Sequence, residues 1–457
     1  MTSTSIWLFV LGIVVFLVGL AFSIGLHELG HLIPAKIFKV PVSKYFIGFG
    51  PKIFSKKVGE TEYGVKAIPL GGYISIAGMY PSEPNSARKR AADQESPEPA
   101  PKRGIRGFFS RIVSDARETN AESLEGFDES RAFYRLPIWK RIVVMAGGPF
   151  MNLILGFVLL AIVLTCFGKA GATTTIASVS QCVIPVTSSQ QTCTAKDPLA
   201  PGAAAGLQPG DTLVAIDGVK QTSWTSNTDI IHNSAGKTLS FEILRTGKTL
   251  TIPVTPTAAQ RYVADAQGKP VHGADGKLET ETVGFVGISP TTGLIPQPVT
   301  EVFPVMGETI GGTLNLIANL PARIGDVGQA AFSSAPRQID GPISVVGIGR
   351  VAGEIASTDR VDVAGKTATL LGLLASLNIA LFVFNLIPLL PLDGGHIAGA
   401  LWEGIRRGWA KLRRKADPGP FDASVLMPLT FVVMVALMAM SALLIYADIV
   451  KPVTILG

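Results

Sequence analysis

The amino-terminal part of the chain joins a long apolar segment to a cluster of ionisable residues. Residues 6–26 are almost entirely apolar, long enough for a helix across a bilayer core of about 20 residues. The segment runs into His27-Glu28-Leu29-Gly30-His31. On a helix, H-E-x-x-H places two imidazoles on one face, ready to bind Zn²⁺, with the glutamate beside them as general base. Because ionisable groups inside a membrane are costly, the pattern predicts a metal-dependent hydrolase at the membrane; the alternative is a span whose polar residues only pair with one another.

The composition predicts a polytopic α-helical membrane protein with about four spans. Hydrophobic residues make up 47% of the chain and charged residues only 16%. Apolar segments long enough to span occur at about 6–33, 142–167, 368–392 and 425–446. We expect the first to be a retained span and not a cleaved signal peptide. No Lys or Arg precedes Ile6, the apolar run is too long, and it ends in the metal motif.

Basic residues predict the orientation of these spans. They cluster after the first span (36–57), before the second (140–141) and between the third and fourth (406–415). The positive-inside rule places all three clusters in the cytoplasm, with the N-terminus, residues 169–367 and the C-terminus outside. The net charge of +6 is mostly this topological signal, so we expect no nucleic-acid partner.

A zinc protease needs a third protein ligand and an open fourth position. His27 lies near the cytoplasmic end of the first span, and the third span is predicted to run in the same direction. That span ends in Pro391-Leu392-Asp393-Gly394-Gly395-His396, so Asp393 reaches a similar depth and is the predicted third ligand. The alternative is that Asp393 caps a helix over 394–407. We expect His396 to be a capping or interfacial residue, because a fourth protein ligand would close the site.

These motifs resemble those of the site-2 protease family of intramembrane zinc metalloproteases, in particular the bacterial branch that cleaves anti-sigma factors. His27-Glu28-x-x-His31 corresponds to the first family motif, and Asn385-x-x-Pro388 with Leu392-Asp393-Gly394 to the second. Two weaker matches are Gly48-Phe49-Gly50-Pro51 and Ala146-Gly147-Gly148-Pro149-x-x-Asn152. With one PDZ domain, predicted from the pattern at residues 203–218, the chain is most similar to the actinobacterial members.

The resemblance implies an enzyme of the bacterial plasma membrane, in contact with membrane lipid, with its active site near the cytoplasmic side. Zn²⁺ would be bound by His27, His31 and Asp393, and Glu28 would be the catalytic base. The substrates would be single-span regulatory proteins such as anti-sigma factors, cut in or near the transmembrane segment in regulated intramembrane proteolysis. Asn385 would either hydrogen-bond the reacting peptide or satisfy the Pro-broken backbone. Asn378 is a weaker candidate for the same role.

Residues 203–218 carry the pattern G-L-x-P-G-D-x-L-x-x-I-D-G of protease-associated PDZ domains. Strands predicted at 239–245 and 249–254 complete such a fold. PDZ domains accept a peptide as an added strand or capture a C-terminal carboxylate, so a peptide or adaptor partner is expected. The alternative is a domain that binds nothing and only keeps bulky substrates from the active site.

Alternating residues at 45–54, 62–68 and 72–77 predict a small β-sheet near the inner membrane face. An exposed edge of that sheet could hold an unwound substrate segment as an extra strand; the alternative is a purely structural sheet.

Residues 81–130 are rich in Pro, Ser, Glu and Arg, which predicts a partly disordered insertion with a short interfacial helix at Phe108, Phe109 and Ile112.

The three cysteines fall on both sides of the predicted membrane boundary. Cys166 lies in the second span, where we expect it to be a buried apolar residue. Cys182 and Cys193 lie in the outside segment, where a disulfide can persist; the alternative is two free thiols.

The expected organisation is a helical membrane protein with an inserted extracytoplasmic PDZ β/α domain and a small membrane-associated β-sheet. Its segments are the first span with the zinc motif (1–38), the β-sheet (39–80), the cytoplasmic insertion (81–138), the second span (139–168), the PDZ domain (169–260), an extracytoplasmic connector (261–367), the third span with the third ligand (368–400), a basic cytoplasmic loop (401–424) and the fourth span with the tail (425–457).

Two other function classes compete with the protease hypothesis. The chain could be a catalytically inactive, zinc-stabilised membrane scaffold with a PDZ module, but a structural site has no need of the base Glu28. It could be a zinc transporter, but a transporter would need several ligand sets along a pathway, and the sequence offers one set.

Overall fold

The fold is described from a computed structural model of the 457-residue chain. The structure describes all residues except 1–2, 82–104, 185, 187–189, 191, 196, 264–270, 273–277, 335, 339–340 and 454–457. Residues 82–104 of the insertion predicted to be partly disordered therefore lie outside the described residues. The described chain divides into two compact units, one formed by residues 1–165 with 298–457 and the other by Cys166–Gln297.

Four helices in the described chain are long and apolar enough to cross a membrane, as predicted. They are Ser5–Ile37, Ile138–Phe167, Val363–Asn385 and Ala423–Val450. The third ends at Asn385 and not near 392, because the chain then meets Pro388 and Pro391. A proline lacks the amide donor and disfavours the helical conformation of the residue before it.

The first helix, α1 (Ser3–Ile37), is followed by a strand pair, β1 (Val42–Val58) and β2 (Thr61–Ile76). The three predicted short strands are thus two long ones. The first part of β1, residues 42–47, pairs with residues 72–76, and residues 44–47 pair also with residues 62–65. The second part of β1, residues 52–58, pairs with residues 61–66. Residues 72–76 have a partner strand on one side only and so form an edge of this sheet.

The insertion contributes α2 (Ile105–Ser123), a helix longer than the short one predicted around Phe108, and two single 3₁₀ turns, Glu129–Arg131 and Phe133–Arg135.

The second span begins with α3 (Ile138–Ile162) and ends in a π-helical turn, Val163–Phe167. A Cβ added to Gly30 on α1 would lie 2.2 Å from the carbonyl oxygen of Gly147 on α3. Small residues at this crossing therefore let two backbones approach closely, as in other membrane helix pairs.

The unit Cys166–Gln297 is mostly β-structure. It contains the strands β3 (Lys169–Val179), β4 (Thr212–Ile216), β5 (Val219–Lys220), β6 (Leu239–Arg245), β7 (Lys248–Val254), β8 (Thr257–Tyr262), β9 (Thr280–Phe285) and β10 (Ile288–Ile295), and the helices α4 (Pro201–Ala204) and α5 (Trp224–His232). The main sheet has the order β10-β3-β4-β6-β7 with β5 paired to β4, and β8 pairs with β9. Ile176, Phe241 and Ile243 are fully buried in its core.

This unit continues past residue 260, where the predicted domain ends. Strand β10 pairs with β3 along nearly its whole length, from Ile288 opposite Val179 to Ile295 opposite Lys169. Such pairing between distant segments has no local sequence signal, so a boundary drawn from the hairpin at 239–254 falls short.

Two of the three cysteines form a disulfide, and the third is exposed. Cys182 and Cys193 are joined by a disulfide with Cα atoms 5.8 Å apart, the first of the two alternatives. The expectation of a buried Cys166 was wrong: its side chain lies exposed on the π-helical turn at the end of the second span.

The chain returns to the first unit with three helices that the sequence left unassigned, α6 (Val302–Ala318), α7 (Leu320–Phe332) and α8 (Val345–Ser357). The third span is α9 (Val363–Asn385), followed by α10 (Asp393–Leu412), and the fourth span is formed mainly by α11 (Met427–Val450). Packing of α1 against α3 and α8, and of α3 against α9 and α10, brings the end of α1 next to the start of α10.

Candidate active site

Three side chains from two distant parts of the sequence meet at the end of α1. His27 Nε2 and His31 Nε2 lie 3.3 Å apart, and each lies 3.4 Å from Asp393 Oδ2. The three atoms form a nearly equilateral triangle. Among the described residues these three side chains are the group whose ligand atoms converge closely enough to share a metal ion.

The triangle has the size that a zinc ion requires. A tetrahedral ion with bonds of about 2.0–2.1 Å separates its ligand atoms by about 3.3–3.4 Å. Asp393 Oδ2 is buried and accepts no hydrogen bond within the described structure, which is costly for a carboxylate unless a cation satisfies it. The donor set of two imidazoles and one carboxylate is typical of a catalytic zinc site with an open fourth position.

Helix α3 contacts both imidazoles through three residues on successive turns, Val144, Gly148 and Asn152. The Val144 carbonyl oxygen accepts a hydrogen bond from His31 Nδ1 at 2.8 Å. One turn later Gly148 leaves the space for the ligands, because an added Cβ would lie 2.2 Å from His31 Nε2. A further turn on, the Asn152 amide lies 3.2 Å from His27 Nδ1. The hydrogen bond to the Val144 carbonyl places the proton of His31 on Nδ1 and leaves its Nε2 free for a metal, while the Asn152 side-chain nitrogen contacts the His27 ring.

Asp393 is the first residue of α10, but it does not cap that helix. The N-cap is Leu392, and no side chain there accepts a hydrogen bond from the first turn. The predicted alternative, a capping aspartate, is therefore not what the structure contains. Burial by itself would raise the pKa of the Asp393 carboxyl, but the two imidazoles of His27 and His31 that face it outweigh this effect and hold the pKa below its usual range. Asp393 is thus an ionised carboxylate facing two imidazoles.

The glycines after Asp393 are needed by the tight turn that presents it. A Cβ on Gly394 would lie 2.3 Å from the Ile387 carbonyl oxygen, and one on Gly395 would lie 2.6 Å from the Leu390 amide nitrogen. Only glycine lets residues 386–392 fold back against the start of α10 at this distance. The Asp-Gly-Gly sequence is therefore a geometric requirement of the third ligand.

Glu28 lines the same cavity as the three candidate ligands, a space of about 630 Å³. One wall is the edge segment of β2, residues 72–76. Gly72 allows this strand to come close to the helix, since a Cβ there would lie 3.2 Å from Glu28 Cγ and 2.9 Å from Ile24 Cγ2. A general base, a metal site and an open strand edge therefore face one space.

Helix α2 also contributes to the cavity, which is lined there by Thr119, Asn120 and Ser123. The Asn120 side chain donates to the Tyr80 carbonyl oxygen at 2.8 Å and accepts from the Tyr80 amide at 3.0 Å. The Tyr80 ring stacks on His396, with ring centroids 6.4 Å apart. Burial raises the pKa of Tyr80 to about 12, so its phenol stays neutral at physiological pH. His396 also lines the cavity, but it is not part of the converging ligand group.

The two asparagines proposed from sequence occupy different places. Asn385 is the last residue of α9 and is not among the described residues that line the cavity. Asn378 is fully buried and donates to Ser23 Oγ at 2.9 Å and to the Leu374 carbonyl oxygen at 2.7 Å. It therefore ties α9 to α1 one turn before His27.

Gly148 and Asn152 were not singled out from the sequence as functional. Both belong to the patch Ala146-Gly147-Gly148-Pro149-x-x-Asn152, whose family resemblance was the available signal. What they do depends on a helix packing that the sequence does not encode locally.

The geometry defines a membrane-embedded metallohydrolase, with its metal site beside apolar helices and a base in the same cavity. The comparisons with known proteins agree. The chain matches peptidase family M50 over residues 15–417. It is 31% identical over 456 residues to zinc metalloprotease Rip1 of Mycobacterium tuberculosis (strain ATCC 25618 / H37Rv), which covers 98% of this chain and 99% of that relative.

Two other relatives extend the comparison. Zinc metalloprotease Rip1 of Mycolicibacterium smegmatis is 31% identical over 461 residues, 98% of this chain and 99% of its own. Metalloprotease MmpA of Caulobacter vibrioides is 27% identical over 441 residues, 93% of this chain and 95% of its own. The chain therefore belongs to peptidase family M50, the site-2 proteases, and is a multi-pass intramembrane zinc metalloprotease. This confirms the enzyme hypothesis over the scaffold and transporter alternatives.

Proposed function

We propose that this protease binds its zinc through His27, His31 and Asp393 and uses Glu28 as general base. We further propose that it cuts single-span regulatory proteins such as anti-sigma factors, in or near the transmembrane segment. The observation that carries the site assignment is the triangle of ligand atoms at 3.3–3.4 Å with Glu28 in the same cavity. The substrate class rests on the apolar helices around the site and on the family resemblance of its motifs.

The residues divide the chemistry between them. Zn²⁺ in this site would polarise the scissile carbonyl and acidify the attacking water. Glu28 takes the proton of that water and later passes it to the leaving amine. Asp393 supplies negative charge to the site, Val144 holds His31 in the tautomer that leaves Nε2 free, and Asn152 contacts the His27 ring. Gly148 keeps the space around Nε2 clear.

The test is cleavage of a purified single-span substrate by the full-length protein in nanodiscs, with the cut located by mass spectrometry. We expect the cut within or at the border of the substrate's apolar segment. Cleavage confined to the soluble domain of the substrate would contradict the proposed substrate class.

A helical substrate must unwind before its carbonyl can be attacked. Unwinding in a bilayer leaves backbone groups without partners, at a cost of several kcal/mol each. We propose that the edge segment of β2, residues 72–76, supplies those partners by accepting the substrate as an added strand. This segment lines the cavity, pairs on one side only and approaches Glu28 at Gly72, so an added strand would lie beside the base.

Proline substitutions along residues 72–77 should slow cleavage without loss of zinc. Proline removes a backbone donor, so positions whose N–H faces the cavity should be affected and alternate positions less so. Cutting rate and zinc content of each variant give the readout. The matched control is Lys56→Pro, in the exposed part of β1 that forms the other edge of the sheet. Unchanged rates across the whole series would reject strand addition and leave the sheet as a scaffold.

We also propose that the unit Cys166–Gln297 is an extracytoplasmic PDZ domain that limits access and does no chemistry. The sequence pattern at 203–218 supports this, as does the position of Asp211 within it. Asp211 is buried, accepts hydrogen bonds from Arg245 at 2.6 Å, and accepts one from the Gln208 amide at 2.8 Å. These contacts fix the turn before β4, the part of the domain that carries the PDZ pattern.

Removal of this domain should preserve cleavage of short substrates and admit substrates with large outer domains. The pairing of β3 with β10 gives a clean excision, because Gly171 and Gly293 lie opposite each other and can be joined by a short turn. Rates are measured with a short and a long version of one substrate. A folded, zinc-loaded deletion variant that cannot cut the short substrate would contradict the access role.

A further inference from the structure

The helix that begins at Asp393 has an exposed apolar ridge. On α10 the side chains of Leu401, Trp402, Ile405, Trp409 and Leu412 are between 51% and 77% exposed. At 100° per residue they fall within one sector of the helix. Five large apolar side chains on one face, two of them tryptophans, form a patch that a water-facing helix rarely shows. We call this set the α10 ridge.

The opposite face of α10 is fixed to the protein, so the ridge cannot turn inward. Glu403 is completely buried and pairs with Arg141 on α3 at 2.7 Å. The Phe421 amide donates to Glu403 Oε2 at 2.9 Å, which ties the following loop to the same point. Ile397 packs against the core between α1 and the β1–β2 sheet.

Helix α10 lies beside the start of the second span and follows the end of the third. Gly404 faces Ile138, the first residue of the second span, with 3.4 Å between an added Cβ and Ile138 Cδ1. The neighbouring Trp139 is 58% exposed. Only residues 386–392 connect α10 to the third span. Tryptophans are enriched at the boundary between hydrocarbon and headgroups, so α10 lies at the level of that boundary.

The end of α10 is basic. Lys411, Arg413, Arg414 and Lys415 are all exposed. The Arg413 guanidinium stacks over the Trp409 ring of the ridge at 4.4 Å from its centroid. In the part of the chain that the structure describes, Lys411, Arg414 and Lys415 form no ion pair with a carboxylate. Their charge is therefore free to meet an anionic surface.

We propose that α10 is an interfacial helix that seats its ridge at the headgroup–acyl boundary and binds anionic phospholipid headgroups through its basic end. A helix with an apolar face bordered by cationic side chains is the kind that binds the surface of an anionic membrane. A polybasic segment next to a span is attracted by anionic lipid on the cytoplasmic leaflet. The occupant of the ridge is thus lipid and not a second copy of the chain.

This docking has a consequence for the active site that rests on the proposed function. Asp393 is the first residue of α10, so the surface that holds the helix also holds the third ligand. Lipid charge then sets how firmly the carboxylate is presented to His27 and His31.

The test is spin-label depth measurement on the full-length protein in nanodiscs, which does not depend on activity. Nitroxides are attached to Leu401→Cys, Ile405→Cys and Leu412→Cys in a Cys166→Ser background that keeps the disulfide. Leu437→Cys on α11 is the control for lipid and Thr249→Cys on β7 the control for water, since both side chains are exposed. We expect ridge labels to be accessible to oxygen and shielded from a water-soluble nickel chelate, at about 5–10 Å below the phosphates.

Nanodiscs of phosphatidylcholine with and without phosphatidylglycerol separate the two parts of the proposal. Ridge labels should lie deeper with phosphatidylglycerol, and the triple variant Lys411→Gln, Arg414→Gln, Lys415→Gln should remove that difference. Ridge labels at the same depth with and without phosphatidylglycerol, before and after the triple substitution, would overturn the proposed binding of anionic headgroups. Ridge labels as open to the nickel chelate as Thr249→Cys would overturn the docking itself. Labels shielded from both reagents, with spin–spin broadening, would show a second copy on the ridge and equally contradict it.

Discussion

Glu28→Gln is expected to abolish cleavage while zinc stays bound. The glutamine keeps the size and polarity of Glu28 but cannot take a proton from water or return one to the leaving amine. General acid–base groups contribute about 10²–10⁴-fold to rate, so the loss should be at least of that order. Glu28 is not one of the three converging ligands, so metal content should not fall. The measurement is the cleavage rate in nanodiscs, with zinc determined on the same preparation.

A second glutamate gives the matched control for this change. Glu60 lies at the surface, pairs with Arg131 at 2.8 Å and is not among the residues that line the cavity. Glu60→Gln should leave both rate and zinc unchanged. Substantial cleavage by Glu28→Gln would remove Glu28 from the proposed role, and loss of zinc in that variant would make it a ligand instead of a base.

Gly148→Ala is expected to strip the protein of zinc although no ligand is removed. The added methyl would lie 2.2 Å from His31 Nε2 and 2.8 Å from His27 Cε1, well inside van der Waals contact. Gly148 sits on α3, whose backbone is held against α1 at Gly30 and Gly147, so the helix cannot retreat. Even substitutions that only disturb ligand orientation cost about 10–100-fold in metal affinity, and this one intrudes on the ligands themselves.

Zinc affinity measured by chelator competition is the readout for Gly148→Ala. Gly372→Ala on α9 is the control, because an added Cβ there meets nothing within 4 Å. Both variants make the same change in a membrane helix. Wild-type zinc affinity in Gly148→Ala would mean that the imidazoles do not bind metal in the arrangement described.

Much of the candidate site follows from the sequence because its signals are local. The two histidines are one helical turn apart, and the turn fixes their common face. The depth of Asp393 follows from the direction and length of an apolar segment. The edge strand at 72–77 also shows as a period-two pattern, although the structure joins it to the preceding strand.

The rest depends on tertiary packing. The role of α3 comes from a backbone carbonyl at Val144 and from the absence of a side chain at Gly148, and neither leaves a chemical signature in the sequence. The pairing of β3 with β10 joins segments more than a hundred residues apart in the chain, so the domain boundary at 260 fell short of Gln297. Likewise, the exposure of Cys166 and the absence of Asn385 from the described cavity lining depend on how the helices pack.

Zinc content of the purified Asp393→Ala protein is the decisive measurement for the proposed metal site, since Asp393 joins the second motif to the first. His31→Ala and His396→Ala accompany it: the former removes a proposed ligand, and the latter removes a histidine that lines the cavity outside the ligand group. We expect Asp393→Ala and His31→Ala to lose zinc and His396→Ala to keep it. Full zinc occupancy in a folded Asp393→Ala protein would contradict the assignment of the third ligand.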